Sequence, residues 1–233
     1  MTSRALLFDL DNTLYAYAPS DEVALVAAQA VLAPHVEISA AEFRRRNDRI
    51  RTEHAERLGG QAASHNRTLF FKSMVEQLTG VSGGDLAARM ADGYWAVFRD
   101  HMEPAPNAHE VLESLGASHE LALVTNQTTY VQLKKIQRLG FERYFPVVVT
   151  SEECGVEKPD ARVFQRALST LGVEASAAVM IGDDPHCDIH GASELGIPTV
   201  QTTEFTGLHL GEDQADAVIG SLSELPEVLS RLS

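Results

Sequence analysis

Short apolar runs that break off at acidic or hydroxyl side chains recur along this chain. Ala5-Leu6-Leu7-Phe8 stops at Asp9, and Leu121-Ala122-Leu123-Val124 stops at Thr125-Asn126. Val147-Val148-Val149 stops at Thr150-Ser151, and Ala178-Val179-Met180-Ile181 stops at Gly182-Asp183-Asp184. Continuous apolar runs of this length predict strands buried on both faces, with polar residues at their C-terminal ends. Two weaker candidates are Pro198 to Gln201 and Ala217 to Ile219. Helical periodicity fills the gaps. Asn107 to Leu115 carries Val111, Leu112 and Leu115 and halts at Gly116. Thr128 to Leu139 carries Val131, Leu133, Ile136 and Leu139 and ends at Gly140. Asp160 to Leu171 aligns Val163, Phe164, Ala167, Leu168 and Leu171 and ends at Gly172. Alternating strands and helices of these lengths predict an α/β fold: a Rossmann-like parallel sheet with helices on both faces.

Residues 17 to 102 break the alternation. They read as successive helices at Asp21 to Leu32, Ala40 to Leu58, His65 to Leu78 and Gly84 to Arg99, punctuated by Pro34, Gly59-Gly60, Gly80 and Gly83-Gly84. Glu103-Pro104-Ala105-Pro106-Asn107 reads as the returning linker. The expected organisation is a core from 1–16 and 103–233 with an inserted α-helical domain at 17–102.

Composition narrows the partners. Hydrophobic content of 44% and charged content of 22% are those of an ordinary globular chain, and 233 residues can bury a sizeable core without staples. The net charge of −14 argues against nucleic acid and against an anionic membrane. A phosphorylated ligand needs local positive charge or a metal. No apolar run reaches the length of a membrane span. Met1 to Arg4 lead directly into the first strand rather than forming a targeting segment, so the expected location is cytoplasmic. Cys154 and Cys187 are then expected as reduced thiols.

The strand ends carry the chemistry. Asp9 and Asp11 lie two apart after a buried strand and repel each other without a compensating cation. Asp183, Asp184 and Asp188 add negative charge at another strand end. Oxygen-only donors of this kind suit a hard cation, and Mg2+ fits best; no Cys/His set with zinc spacing competes. Thr125 offers a hydroxyl beside a helix start, where free N–H groups suit a phosphate. Pro159 suits the first turn of the next helix and fixes Lys158 beside it. Singly, these features read as a turn, a cap, a surface lysine and a solvated loop. Together, in order and each at an element terminus of one sheet, they point to one site.

Those motifs identify the chain as resembling the haloacid dehalogenase superfamily. Phe8-Asp9-Leu10-Asp11-Asn12-Thr13-Leu14 resembles its first motif, Val124-Thr125-Asn126 the second and Glu157-Lys158-Pro159-Asp160 the third. The run from Gly182 to Ala192 resembles the fourth, and the insertion resembles a helical cap of the C1 type. The resemblance implies an Mg2+-dependent phosphatase. In it Asp9 attacks phosphorus, Asp11 protonates the leaving alcohol and later deprotonates water, Thr125 bonds a phosphoryl oxygen, and Lys158 neutralises charge. It implies substrate-binding roles for Leu10, Asn126 and Gln127. It implies Mg2+ held by Asp9, Asp183 and the backbone carbonyl of Asp11, with Asp184 and Asp188 in support. Asp11 argues against the dehalogenating branch, which lacks this second aspartate. A phosphomutase shares Asp11 and stays open, as does a non-catalytic regulator. Gln127 departs from the glycine that often follows the second motif. Lys72, the one lysine of the insertion, reads as a solvated helix residue rather than a Schiff-base lysine. The stripe from Arg44 to Arg57 reads as a helix face paired with Glu42, Asp48, Glu53 and Glu56, or as a means of steering an anionic substrate. Ser151 to Val156 resembles pyrimidine 5'-nucleotidase-like members, which implies a small-molecule phosphate ester such as a nucleoside monophosphate or sugar phosphate. The expected assembly is a monomer or homodimer.

Overall fold

A computed structural model describes residues 5–207 and 215–232. The expected position of Met1 to Arg4 ahead of the first strand, and Ser233, therefore lie outside the described residues. The chain divides into two compact units, Met1–Ala16 with Glu103–Ser233, and Tyr17–Met102.

The first unit holds six parallel strands: β1 (Ala5–Phe8), β2 (Glu120–Thr125), β3 (Val147–Thr150), β4 (Ala178–Gly182), β5 (Thr199–Thr202) and β6 (Ala217–Ile219). Their order is β3-β2-β1-β4-β5-β6. The chain winds outward from β1 through β2 to β3, then crosses back to β4 on the other side of β1. The crevice at the C-terminal ends of β1 and β4 is therefore the switch point, where ligands of such sheets bind. Register sharpens this placement. Phe8 pairs with both Leu123 and Ile181, so Asp9 leaves the sheet level with Val124 and Gly182. Alternate strand residues Leu7, Val124, Val149 and Met180 pack on Val163, Phe164 and Ala167 of the helix Ala161–Leu171.

Helix ends differ from the sequence reading for local reasons. Asp160 caps the helix Ala161–Leu171, its side chain accepting from the Arg162 N–H, so Pro159 lies before the helix and not in its first turn. Gly172 closes that helix at φ 68°, a left-handed conformation that favours glycine. The helix after β2 is Thr129–Leu139. Its buried face is Gln132, Lys135, Ile136 and Leu139, while Leu133 is exposed. The apolar periodicity thus misread this helix at two polar positions. A helix at Leu225–Arg231 and a one-turn helix at Ser151–Cys154 had no counterpart in the sequence reading.

The second unit is helical: Tyr17–Leu32, Ala40–Leu58, Arg67–Thr79 and Gly84–Asp100, with a short 3-10 turn at Ala62–His65. The break near residue 66 has a capping origin, because the Asn66 side chain accepts from the Leu69 N–H and starts a new helix. Phe70, Phe71 and Met74 are buried as its core. Arg45 and Arg46 pair with Glu42, and Lys72 pairs with Glu76, as solvated helix faces do. Arg67 is buried among Tyr17, Tyr94 and Asp21. Among the described residues, no helix is long and apolar enough to cross a membrane.

Candidate active site

Asp9 follows β1 directly and its backbone N–H donates to Ile181 O at 2.9 Å, tying the start of the loop to β4. Asn12 then turns the chain at φ 60°, a left-handed conformation that asparagine tolerates. At the end of β4 the loop Pro185–His190 makes a π-helical turn. Asp184 caps this turn, its carboxylate accepting from the N–H groups of His186 and Cys187 at 2.9 and 2.8 Å. The turn folds Asp188 back over the strand end, where its Oδ2 accepts from the Asp184 N–H at 3.1 Å. Gly182 makes room for this, since a Cβ there would lie 2.3 Å from Asp188 Oδ2.

The result is a buried cluster. Carboxylate oxygens of Asp9, Asp183 and Asp188 lie within 4.8 Å of one another. Lys158 meets them from the third loop, its Nζ donating to Asp9 Oδ1 at 2.7 Å, Asp188 Oδ1 at 2.6 Å and Val124 O at 2.7 Å. All three ammonium donors are used. Asn126 fixes the lysine's backbone: its Nδ2 donates to Lys158 O at 3.0 Å, and its Oδ1 accepts from the Lys158 N–H at 2.8 Å. The Lys158–Pro159 peptide is cis.

Three carboxylates against one ammonium leave an excess of buried negative charge. Burial, only partly opposed by Lys158, and then the charges of Asp188 and Asp11 push the Asp9 carboxyl up to about 7. Burial, then the charges of Asp9, Asp188 and Asp184, push Asp183 up to about 9. Lys158 moves the other way. Burial would lower its ammonium, but Asp188 and Asp9 outweigh that and hold it well above the ordinary lysine value. An oxygen-only donor set that lacks positive charge fits a hard divalent cation.

Asp11 and Asp184, both expected near the metal, turn their side chains elsewhere. Asp184 serves the π-helical turn. Asp11 faces Lys135, whose Nζ lies 2.7 Å from Oδ1 and 2.9 Å from Oδ2. Tyr15 also donates to Oδ1, and Gln132 Nε2 donates to Oδ2 at 3.1 Å. Burial raises the Asp11 carboxyl, but Lys135, Tyr15 and Gln132 outweigh it and hold the group below the usual carboxylate range. The same Gln132 Nε2 donates to Thr125 Oγ1 at 2.6 Å. Gln127 is buried, its Oε1 accepting from the Thr128 N–H at 2.9 Å, so that side-chain oxygen is spent on the helix start. Leu10 is fully buried, so its side chain packs in the core rather than lining the crevice. Cys154 and Cys187 are free thiols, and burial above all pushes Cys187 up to about 12. Lys135 and Gln132 went unnoticed in the sequence because their spacing, three apart within an amphipathic helix, looks like ordinary surface polarity.

Residues 6–202 match the family model described as haloacid dehalogenase-like hydrolase. A ribulose-1,5-bisphosphate 5-phosphatase of Halopiger xanaduensis is 40% identical over 97% of this chain and 99% of its own. A glyceraldehyde 3-phosphate phosphatase of Methanothermobacter thermautotrophicus is 28% identical over 97% of this chain and 99% of its own. Among solved structures, a 2-haloacid dehalogenase from Pseudomonas syringae pv. Tomato DC3000 is 28% identical, with a TM-score of 0.78 and full coverage of both chains. With its motifs gathered at one strand-end crevice and phosphatases matching over nearly its whole length, the chain belongs to the haloacid dehalogenase-like hydrolase family and is a phosphate-ester hydrolase within it.

Proposed function

We propose that the protein is an Mg2+-dependent phosphomonoesterase that works through an aspartyl phosphate on Asp9, with a sugar phosphate or similar small phosphorylated metabolite as substrate. The observation that carries this reading is the buried Asp9–Lys158–Asp188 bridge beside Asp183. It holds one carboxylate at a strand end with a fixed ammonium against it and an excess of negative charge around it. Asp9, Asp183 and Asp188 would hold Mg2+, with the Asp11 carbonyl as the family implies. Bound there, the ion supplies charge neutralisation and orientation for phosphoryl transfer.

The chain's own residues do the rest. An Asp9 oxygen bonds to phosphorus, the bond to the leaving oxygen breaks, and Asp11 gives that oxygen a proton. Water then attacks the phosphorus of the aspartyl phosphate, Asp11 takes its proton, and the P–O bond to Asp9 breaks, returning the Asp9 carboxylate and releasing inorganic phosphate. The resting Asp11 is ionised, the form needed for the second step, so the proton for the first step enters with or after substrate. Thr125 donates to a phosphoryl oxygen, Lys158 neutralises charge on phosphate and on Asp9, and Asn126 holds the Lys158 backbone. Tyr17–Met102 is, in this reading, the cap insertion. The relatives named for ribulose bisphosphate and glyceraldehyde 3-phosphate support a phosphorylated sugar over a nucleoside monophosphate. Asp11 favours a phosphate ester over the haloacid of the structural neighbour. The cytoplasm is the proposed location, with no nucleic-acid or membrane partner.

The test is hydrolysis of p-nitrophenyl phosphate with and without Mg2+. Wild-type protein should turn over only with the ion, and Asp9→Asn should lose at least ~10³-fold in kcat. Undiminished turnover by Asp9→Asn sinks the reading.

A further inference from the structure

Gln132 and Lys135 are the polar residues on the buried face of the helix Thr129–Leu139, both with no exposure at all. Burying an ammonium and an amide is costly unless each is well paired. A helix in this place needs only apolar packing there, as Ile136 and Leu139 provide. Both polar side chains instead reach out of their helix to groups of the reaction. Lys135 Nζ binds both Asp11 oxygens, at 2.7 and 2.9 Å, above the Tyr15 ring at 5.8 Å. Gln132 Nε2 spans two loops, 3.1 Å from Asp11 Oδ2 and 2.6 Å from Thr125 Oγ1. The carboxylate neighbour fixes which end of the amide is nitrogen. Because that nitrogen occupies a lone pair of the Thr125 oxygen, the hydroxyl proton is left to point at another acceptor. The side chain's Oε1 has no hydrogen-bond partner, so the amide serves through its nitrogen.

We propose that Gln132 and Lys135 are positioning residues of the phosphoryl-transfer step: Lys135 clamps the Asp11 carboxyl group at its working position, and Gln132 locks it to Thr125 so that the acid/base group and the phosphoryl-binding hydroxyl move as one unit. This rests on the phosphatase reading, in which Asp9 bonds to phosphorus, the electron pair of the breaking P–O bond goes to the leaving oxygen, and that oxygen takes the Asp11 proton. Aim matters here because a displacement of about 1 Å at such a group can cost ~10²-fold.

The experiment is a double-mutant cycle read through leaving-group dependence. kcat/KM is measured with Mg2+ for p-nitrophenyl, 4-chlorophenyl and phenyl phosphate, esters of increasingly basic leaving groups that depend increasingly on the proton. Asp11→Asn and Lys135→Met should both steepen the decline along this series. Lys135→Met should lose roughly tenfold to a hundredfold with phenyl phosphate, mostly in kcat. The double variant should be no slower than Asp11→Asn, and Lys135→Arg should recover part of the loss. A wild-type slope in Lys135→Met, or a loss that adds in full to that of Asp11→Asn, overturns the clamp. If Lys135→Met does not fold, Gln132→Leu is read by the same criteria. The two failures separate cleanly: turnover by Asp9→Asn sinks the phosphatase reading, an unchanged slope in Asp11→Asn sinks the acid role and the clamp together, and a changed slope confined to Asp11→Asn sinks the clamp alone.

Discussion

Lys158 shows how much one side chain carries in this site. Its ammonium is buried and spends its three protons on Asp9, Asp188 and the Val124 carbonyl. Lys158→Met leaves two buried carboxylates facing each other, and the metal-free protein should lose about 3–5 kcal/mol in urea unfolding, with activity lost as well. Mg2+ should restore part of that stability and none of the activity. Gly182 is the opposite case, where a missing side chain matters. A Cβ 2.3 Å from Asp188 Oδ2 forces the π-helical turn to shift. Gly182→Ala should cost about 1–3 kcal/mol and weaken Mg2+ binding, read as a higher Mg2+ concentration for half-maximal rate. A variant with wild-type stability and metal dependence would mean that Asp188 does not need its present place.

At the scale of elements, the site is completed by contacts between loops. Asn126, after β2, holds both sides of the Lys158 peptide ahead of the next helix. Asn126→Ala removes two hydrogen bonds to that buried peptide and should destabilise by about 1–3 kcal/mol. It should also lower kcat more than the conservative Asn126→Asp, which keeps the acceptor for the Lys158 N–H. Equal losses in the two variants would assign the effect to the donor side alone. The helix Thr129–Leu139 makes a second such link, from Gln132 and Lys135 to Asp11 and Thr125. Its helical period is legible, but Asp11, the partner that Gln132 and Lys135 share, is 121 and 124 positions away in sequence.

For the molecule as a whole, the carboxylate cluster couples stability to pH. Asp9 is raised to about 7 and Asp183 to about 9, both above the ordinary 3.8. Between those values the folded protein binds more protons than the unfolded chain, so stability falls as pH rises. Without a divalent cation, the contribution of these two groups should make the Tm decline from about pH 5 to pH 9. Mg2+ competes with the same protons, so the rise in Tm on adding saturating Mg2+ should grow over that range. An increment independent of pH would mean that the ion binds elsewhere. Asp9→Asn should flatten the lower part of the profile.

The sequence by itself determined the sheet and the strand ends. Ala5–Phe8 is read to the residue, because an apolar run buried on both faces leaves no other choice, and the half-exposed edge strand Ala217–Ile219 is read to the residue as well. Asp9, Thr125, Lys158 and Asp183 are legible because a parallel sheet brings the C-terminal ends of its strands to one edge. Helix starts are less legible, since they turn on caps such as Asp160 and Asn66 that bond only once the chain has turned. Tertiary structure alone decided which carboxylates share the cluster and which are spent elsewhere. Asp184 and Asp188 are alike in sequence, yet one caps a turn and the other meets Lys158. It also decided that a lysine and a glutamine on a buried helix face belong to Asp11 and Thr125. Charge pairing over such separations has no period in the sequence; it exists only where the fold brings the charges within hydrogen-bonding distance.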